Sequence, residues 1–183
     1  MKSVVLFGDS LFGQFGRKPI TALEKAVPGI VVYNCAAGGL NSTESLVRAP
    51  LISKMEADYI CISLGANDCS QAEEVKYVPI EKFRSNLFSI IDIFRKSRIV
   101  LFPCPPLYDP NDLVGTEEYN DLLDPYNKVI ADIASEKNAT CIDSKTIYGN
   151  LLKENKDYHK EDGIHLNEFG YEVLVKELTR LLK

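Results

Sequence analysis

Apolar residues in this chain gather in short unbroken runs, each followed by small or polar residues. Val4-Val5-Leu6-Phe7, Ile30-Val31-Val32-Tyr33, the run within Asp58–Leu64 and Ile99-Val100-Leu101-Phe102 share this form. Runs of this length, rich in β-branched residues and without polar alternation, predict strands covered on both faces, as in a parallel sheet. Thr140-Cys141-Ile142-Asp143 is a fifth, shorter candidate. Between the runs the apolar spacing becomes helical. Leu23, Ala26 and Val27 mark a short helix opened by Pro19 and stopped by Pro28-Gly29. Asn41 or Ser42 can cap a second helix, which Pro50 is expected to interrupt. Ile80, Phe83, Leu87, Ile90, Ile91 and Phe94 share one face of a long helix after Pro79. A helix from about Glu117 to Lys137 is expected to bend or split near Asp124, because Pro125 follows. A weaker helix covers about Ser144 to Asn155. The last, with Asn167 as N-cap, carries the stripe Val173, Leu174, Leu178 and Leu181. Leu11–Gly16 and Pro103–Tyr108 read as loops, and an excursion rich in Asp, Asn and Gly runs on to about residue 116.

Strand and helix alternate five times, which predicts an α/β fold: a three-layer α/β/α sandwich around a five-stranded parallel sheet. Right-handed crossovers favour the strand order 2-1-3-4-5. The first strand then lies beside the switch point, where such sheets bind ligands at their carboxyl ends. No repeat or linker divides the sequence, so residues 1–183 are expected to form one domain.

Composition narrows the partners. The 183 residues are 45% hydrophobic and 26% charged, ordinary values for a soluble globular protein. The net charge of −5, without a basic run, argues against nucleic acid. No apolar stretch approaches the length of a membrane span, and the N-terminus lacks the pattern of a signal peptide. Five cysteines, an odd number without C-x-x-C, are expected to be reduced thiols in a cytoplasmic protein. With two histidines and no Cys/His cluster, neither a metal nor a cofactor is expected.

Four polar stretches stand where chemistry is expected. Gly8-Asp9-Ser10 follows the first strand, Gly38-Gly39 the second and Gly65-Ala66-Asn67-Asp68 the third. In the order 2-1-3 these loops meet over one crevice. Asp162-Gly163-Ile164-His165 arrives from the far end of the chain, just before the last helix. A serine at the first position is either a helix cap or a nucleophile.

Together these stretches resemble the SGNH, or GDSL, hydrolases. Gly8-Asp9-Ser10-Leu11, the loop from Asn34 to Gly39, Gly65-Ala66-Asn67-Asp68 and Asp162-Gly163-Ile164-His165 match that family's four blocks in order. One departure is Ala36, where many members carry a glycine. The resemblance implies a flavodoxin-like sheet and a cofactor-independent serine ester hydrolase. Ser10 would be the nucleophile, His165 the base and Asp162 its orienting partner. The backbone N–H groups of Ser10 and Gly39 and the side chain of Asn67 would form the oxyanion hole. The chemistry is coherent: a serine hydroxyl is a poor nucleophile until a base takes its proton, and a neutral imidazole is suited to that. His159 lies in a charged stretch expected to be exposed, which leaves His165 as the base. Asp143, at another strand end, is a second candidate for the histidine's partner. Cys35 reads as a small packed residue. Asp9 and Asp68 read as structural, holding the loop backbones around Ser10 and Asn67.

Substrate contacts are less defined by sequence. Leu11, Phe12, Phe15, Pro105, Pro106, Leu107 and Tyr108 lie on loops at the same sheet edge and either form an apolar groove or tuck onto the core. Pro105-Pro106 and the excursion behind it resemble the isoamyl-acetate-hydrolysing branch, which implies small, uncharged esters as substrates. A thioesterase, an acyltransferase or a carbohydrate O-deacetylase could use the same residues. Outside that chemistry stand a nucleotide- or flavin-binding module and an inactive scaffold. The loop after the first strand, anionic and without lysine, is a poor phosphate cradle.

Overall fold

In a computed structural model that describes residues 1–71, 75–108 and 115–183, five parallel strands form one sheet in the order β2-β1-β3-β4-β5. The strands are β1 (Lys2–Gly8), β2 (Ile30–Asn34), β3 (Tyr59–Ser63), β4 (Arg98–Leu101) and β5 (Thr140–Cys141). β1 is central because it is apolar on both faces: Val4, Val5, Leu6 and Phe7 are all fully buried. β3, also buried along its length, lies in register with it, Val4 opposite Tyr59 and Gly8 opposite Ser63.

The helices are α1 (Ser10–Gly13), α2 (Arg17–Ala26), α3 (Ser42–Ile52), α4 (Ile80–Ile93), α5 (Thr116–Glu136), α6 (Ser144–Lys153) and α7 (Glu168–Leu182). α2 packs on α7, while α3, α4 and α5 pack in succession. Right-handed crossovers place these two groups on opposite faces of the sheet. Phe83, Leu87, Ile90 and Ile91 of α4, with Leu174 and Leu178 of α7, are buried as their spacing predicts.

Three expectations about local structure change. Leu11–Gly16 begins not as loop but as the single turn of α1, because Asp9 caps it. Pro50 lies inside α3, whose start is fixed by a capping box between Asn41 and Glu44. Its ring is exposed and only the last turn remains to be disturbed. Pro125 likewise lies within α5, which runs unsplit from Thr116 to Glu136. Of the expected excursion, residues 109–114 lie outside the described residues. Among the described residues no helix is long and apolar enough to cross a membrane.

Candidate active site

The site begins with a turn that only glycine permits. Gly8 has φ +125°, and a Cβ there would stand 1.8 Å from the carbonyl oxygen of Ser63. This close approach lets Asp9 N–H donate to the same carbonyl at 3.0 Å, which pins the end of β1 to the end of β3. Asp9 Oδ1 accepts the Leu11 N–H at 3.0 Å. Ser10 thereby becomes the first residue of α1, with a backbone N–H that has no partner within the helix. The turn is anchored from beneath: Leu11 and Phe12 are buried, and Tyr171 of α7 donates its hydroxyl to Leu11 O at 2.9 Å.

The other half of the site is a loop folded back before α7. Lys160 N–H donates to His165 O at 2.8 Å and Asn167 N–H to Tyr158 O at 2.9 Å, closing the loop at its base. Gly170 makes room for this closure, since a Cβ there would lie 2.6 Å from Tyr158 O. Within the loop Asp162 Oδ1 accepts two backbone N–H groups, from Ile164 at 2.9 Å and His165 at 2.8 Å. Its Oδ2 lies 2.7 Å from His165 Nδ1. His165 Nε2 lies 2.9 Å from Ser10 Oγ. A carboxylate facing Nδ1 requires the proton there, which leaves the Nε2 lone pair for the serine hydroxyl. Burial pushes the Asp162 carboxyl up, but hydrogen bonds from the His165 backbone, its ring and the Ile164 N–H outweigh it and hold the group below its ordinary value.

The second and third loops stand beside the serine. A Cβ on Gly38 would be 3.9 Å from Ser10 Cβ. Asn34 ties the first two loops together, donating from Nδ2 to Phe12 O at 2.7 Å and to Phe15 O at 3.1 Å, while its Oδ1 accepts Ala36 N–H at 3.1 Å. Gly39 has φ +73°, and a Cβ there would meet nothing closer than Lys76 Nζ at 3.8 Å. Backbone conformation, rather than lack of space, therefore calls for glycine at this position. Asn67 donates from Nδ2 to Leu40 O at 3.0 Å, which leaves its second amide hydrogen for another acceptor.

Two carboxyls lie beneath these loops. Asp9 and Asp68 are both fully buried, and each has one oxygen without a hydrogen-bond partner among the described residues. Asp68 Oδ1 accepts the Ser42 N–H at 2.9 Å, fixing the start of α3. Burial raises the Asp9 carboxyl to about 7; the Leu11 N–H opposes the rise and the charge of Asp68 adds to it. Burial likewise raises Asp68 to about 6, against the hydrogen bonds from Ser42.

The structure places the remaining candidates as follows. Leu11, Phe12, Phe15, Pro105 and Leu107 are buried and offer no groove surface. The ring of Phe12 packs on Phe15 and Phe102. Pro106 is half-buried and Tyr108 is exposed, so only these two of the set reach solvent. His159, expected to be exposed, has a side chain 1% accessible. Its Nε2–H donates to Pro106 O at 2.9 Å, and the Tyr158 hydroxyl donates to the same carbonyl at 2.7 Å. Burial lowers the His159 imidazole from its ordinary value. Asp143 caps α6, accepting Thr146 N–H at 3.1 Å, and the ring of His165 is held by Asp162 instead. The Cys35 thiol lies 3.7 Å from Met55 Sδ, and burial pushes its pKa up, contrary to what a nucleophile requires. Sequence reasoning passed over Lys76, which carries no motif and reaches Gly39 only through the fold.

Comparison with known proteins bears on this geometry. The sequence profile of the GDSL-like lipase/acylhydrolase family matches residues 6–173. A GDSL esterase/lipase, WDL1, of Oryza sativa subsp. japonica is 25% identical over 154 residues, covering 73% of this chain and 56% of its own length. The isoamyl acetate-hydrolyzing esterase of Schizosaccharomyces pombe is 25% identical over 125 residues, covering 66% of this chain and 48% of its own. The chain thus spans about half the length of these relatives. Among solved structures, Axe2, an acetylxylan esterase from Geobacillus stearothermophilus, superposes with a TM-score of 0.81 at 20% identity, covering 99% of this chain and 94% of that one.

Proposed function

The chain belongs to the GDSL-like lipase/acylhydrolase family, and from that membership and the geometry of the site we propose that it is a serine ester hydrolase cleaving small carboxylic esters through an acyl-enzyme. The observation that carries this reading is the unbroken line of hydrogen bonds from Ser10 Oγ through the imidazole of His165 to Asp162.

Ser10 Oγ attacks the ester carbonyl carbon while His165 Nε2 takes its proton. Asp162 keeps the ring in the tautomer that can accept, and stabilises the imidazolium that forms. The carbonyl oxygen becomes an oxyanion, facing the N–H groups of Ser10 and Gly39 and the free amide hydrogen of Asn67. As the carbon–alkoxy bond breaks, Nε2–H protonates the departing alcohol. Water then attacks the acyl-serine and gives a proton to Nε2. Collapse of that second intermediate releases the acid and returns the proton to Ser10.

Leu11, Phe12 and Leu107 are buried and offer no long groove, which supports a small acyl group. The names of the yeast and Geobacillus proteins both specify acetate esters, and the reading adopted here is an acetate or other short-chain ester. None of the five cysteines is in a disulfide, which supports a reducing compartment such as the cytoplasm.

The test is hydrolysis of p-nitrophenyl acetate, butyrate and octanoate by the wild type and by Ser10→Ala. Turnover of the acetate, falling with chain length and lost to background in the variant, is the expected result. Equal activity in Ser10→Ala, or no activity on any ester in the wild type, overturns the reading.

A further inference from the structure

Lys76 lies on the segment that leads from Gly65-Ala66-Asn67-Asp68, at the carboxyl end of β3, to α4. One hydrogen bond ties that segment to the second loop and another closes it on itself. Asn41 Nδ2 donates to Lys76 O at 3.1 Å, and Val78 N–H donates to Asp68 O at 2.9 Å. The ammonium consequently lies 3.8 Å from the point a Cβ of Gly39 would occupy. The next residue, Leu40, offers its carbonyl to Asn67. A cation is thus held beside Gly39, one of the groups assigned to the oxyanion, at the sheet edge where folds of this type bind ligands.

Among the described residues that ammonium faces one carboxylate, in a long ion pair. Nζ stands 3.4 Å from both oxygens of Glu44, whereas Lys145 and Asp124 make a 2.6 Å pair. Glu44 Oε2 is already committed to the Asn41 N–H at 3.0 Å, as part of the cap of α3. Lysine has three donors, and its side chain here is 26% exposed. The chain as a whole carries a net charge of −5, so it repels an anionic substrate except where a fixed cation reverses the local potential.

We propose that Lys76 is a specificity-determining residue and that the preferred substrates are acetate esters whose alcohol portion carries a carboxylate: O-acetylated hydroxy acids. The inference rests on the ester-hydrolase reading and deepens it. An acetyl group has no room for a charge, so the anion must be on the alcohol side. There it meets the ammonium while the carbonyl oxygen is directed at Gly39 and Asn67.

The experiment measures acetate release from 2-acetoxypropanoate and from its uncharged amide, with p-nitrophenyl acetate as the reference ester. Wild type, Lys76→Met and Lys76→Arg are compared. In the wild type kcat/KM for the carboxylate should exceed that for the amide by about tenfold, a factor within reach of a partly exposed charge pair. The preference should lie mainly in KM and shrink as salt is added. Lys76→Met should bring the ratio to about one, and Lys76→Arg should keep most of it. The salt dependence and the arginine variant decide the matter if the methionine variant folds poorly. A wild type that turns over p-nitrophenyl acetate without preferring the carboxylate overturns this inference alone, as does a preference that survives in Lys76→Met. A wild type inactive on all three esters overturns the ester-hydrolase reading and this inference with it.

Discussion

Asp162 holds His165 twice: one carboxylate oxygen accepts the residue's own backbone N–H at 2.8 Å and the other faces its ring Nδ1 at 2.7 Å. Backbone position and ring orientation are therefore set by a single side chain. Asp162→Asn keeps an oxygen for the backbone bond but can turn an N–H toward Nδ1, which favours the wrong tautomer. The expected result is a folded protein with kcat for p-nitrophenyl acetate down by about 10⁴ and little change in thermal stability. A loss of less than tenfold would remove Asp162 from the proposed triad. In the wild type, kcat/KM should fall on acidification, since a protonated imidazole cannot take the serine proton. A rate that did not fall on acidification would exclude His165 as the base.

Asn67 donates one amide hydrogen to Leu40 O at 3.0 Å, and the proposed mechanism assigns the other to the oxyanion. Asn67→Ala should lower kcat by about 10²–10³ while KM moves by less than threefold or so, because the donor acts on the transition state. Steady-state kinetics on a short ester separate the two parameters. A change confined to KM would assign Asn67 to ground-state binding.

Asp9 makes stability depend on pH in the direction opposite to most carboxylates. Its folded-state pKa is raised from 3.8 to about 7 by burial. The stabilisation is full below the unfolded value, and it is lost as pH rises through the folded value, when the unfolded chain has ionised and the folded one has not. The loss amounts to roughly 4 kcal/mol across that window. Asp9→Asn keeps an acceptor for Leu11 N–H and carries no charge. Its stability relative to wild type should rise between pH 4 and pH 7 and level off above. Thermal unfolding of both proteins across this range is the measurement, and a constant difference would show that Asp9 titrates normally.

Two glycines of similar conformation should respond very differently to alanine. Gly8→Ala drives a Cβ into Ser63 O, 1.8 Å away in the undisturbed backbone, and should prevent folding at ordinary temperatures. Gly39→Ala meets no atom closer than 3.8 Å and carries only the strain of positive φ, on the order of 1 kcal/mol. It should fold with a Tm several degrees lower. Circular dichroism melts distinguish the cases, and equal destabilisation would contradict the packing around Gly8.

The strands and the site blocks were legible in the sequence because each is written in contiguous residues. Four apolar residues followed by Gly8-Asp9-Ser10 give strand, turn and proposed nucleophile in one stretch. Asp162 and His165 are three positions apart, so local backbone alone brings them together. What was not legible depends on one loop packing against another. Tyr158 and His159 sit among Asp157, Lys160 and Glu161, and the charges suggest a solvated stretch. The pair turns inward because both side chains donate to Pro106 O, a partner more than fifty positions away. Phe12 packs on Phe102 and Phe15 on Tyr171 for a similar reason. The proximity of Lys76 to Gly39 likewise depends on Asn41, in another loop, binding its carbonyl.

Ser10 and His165 meet across 155 residues, so the proposed nucleophile is synthesised well before its proposed base. Under the proposed mechanism that serine stays unarmed until the loop before α7 folds against α1. The same separation makes the protein divisible in principle. A fragment with the first three loops and a fragment with the last loop and α7 would each be inert, and ester cleavage would report their reassociation.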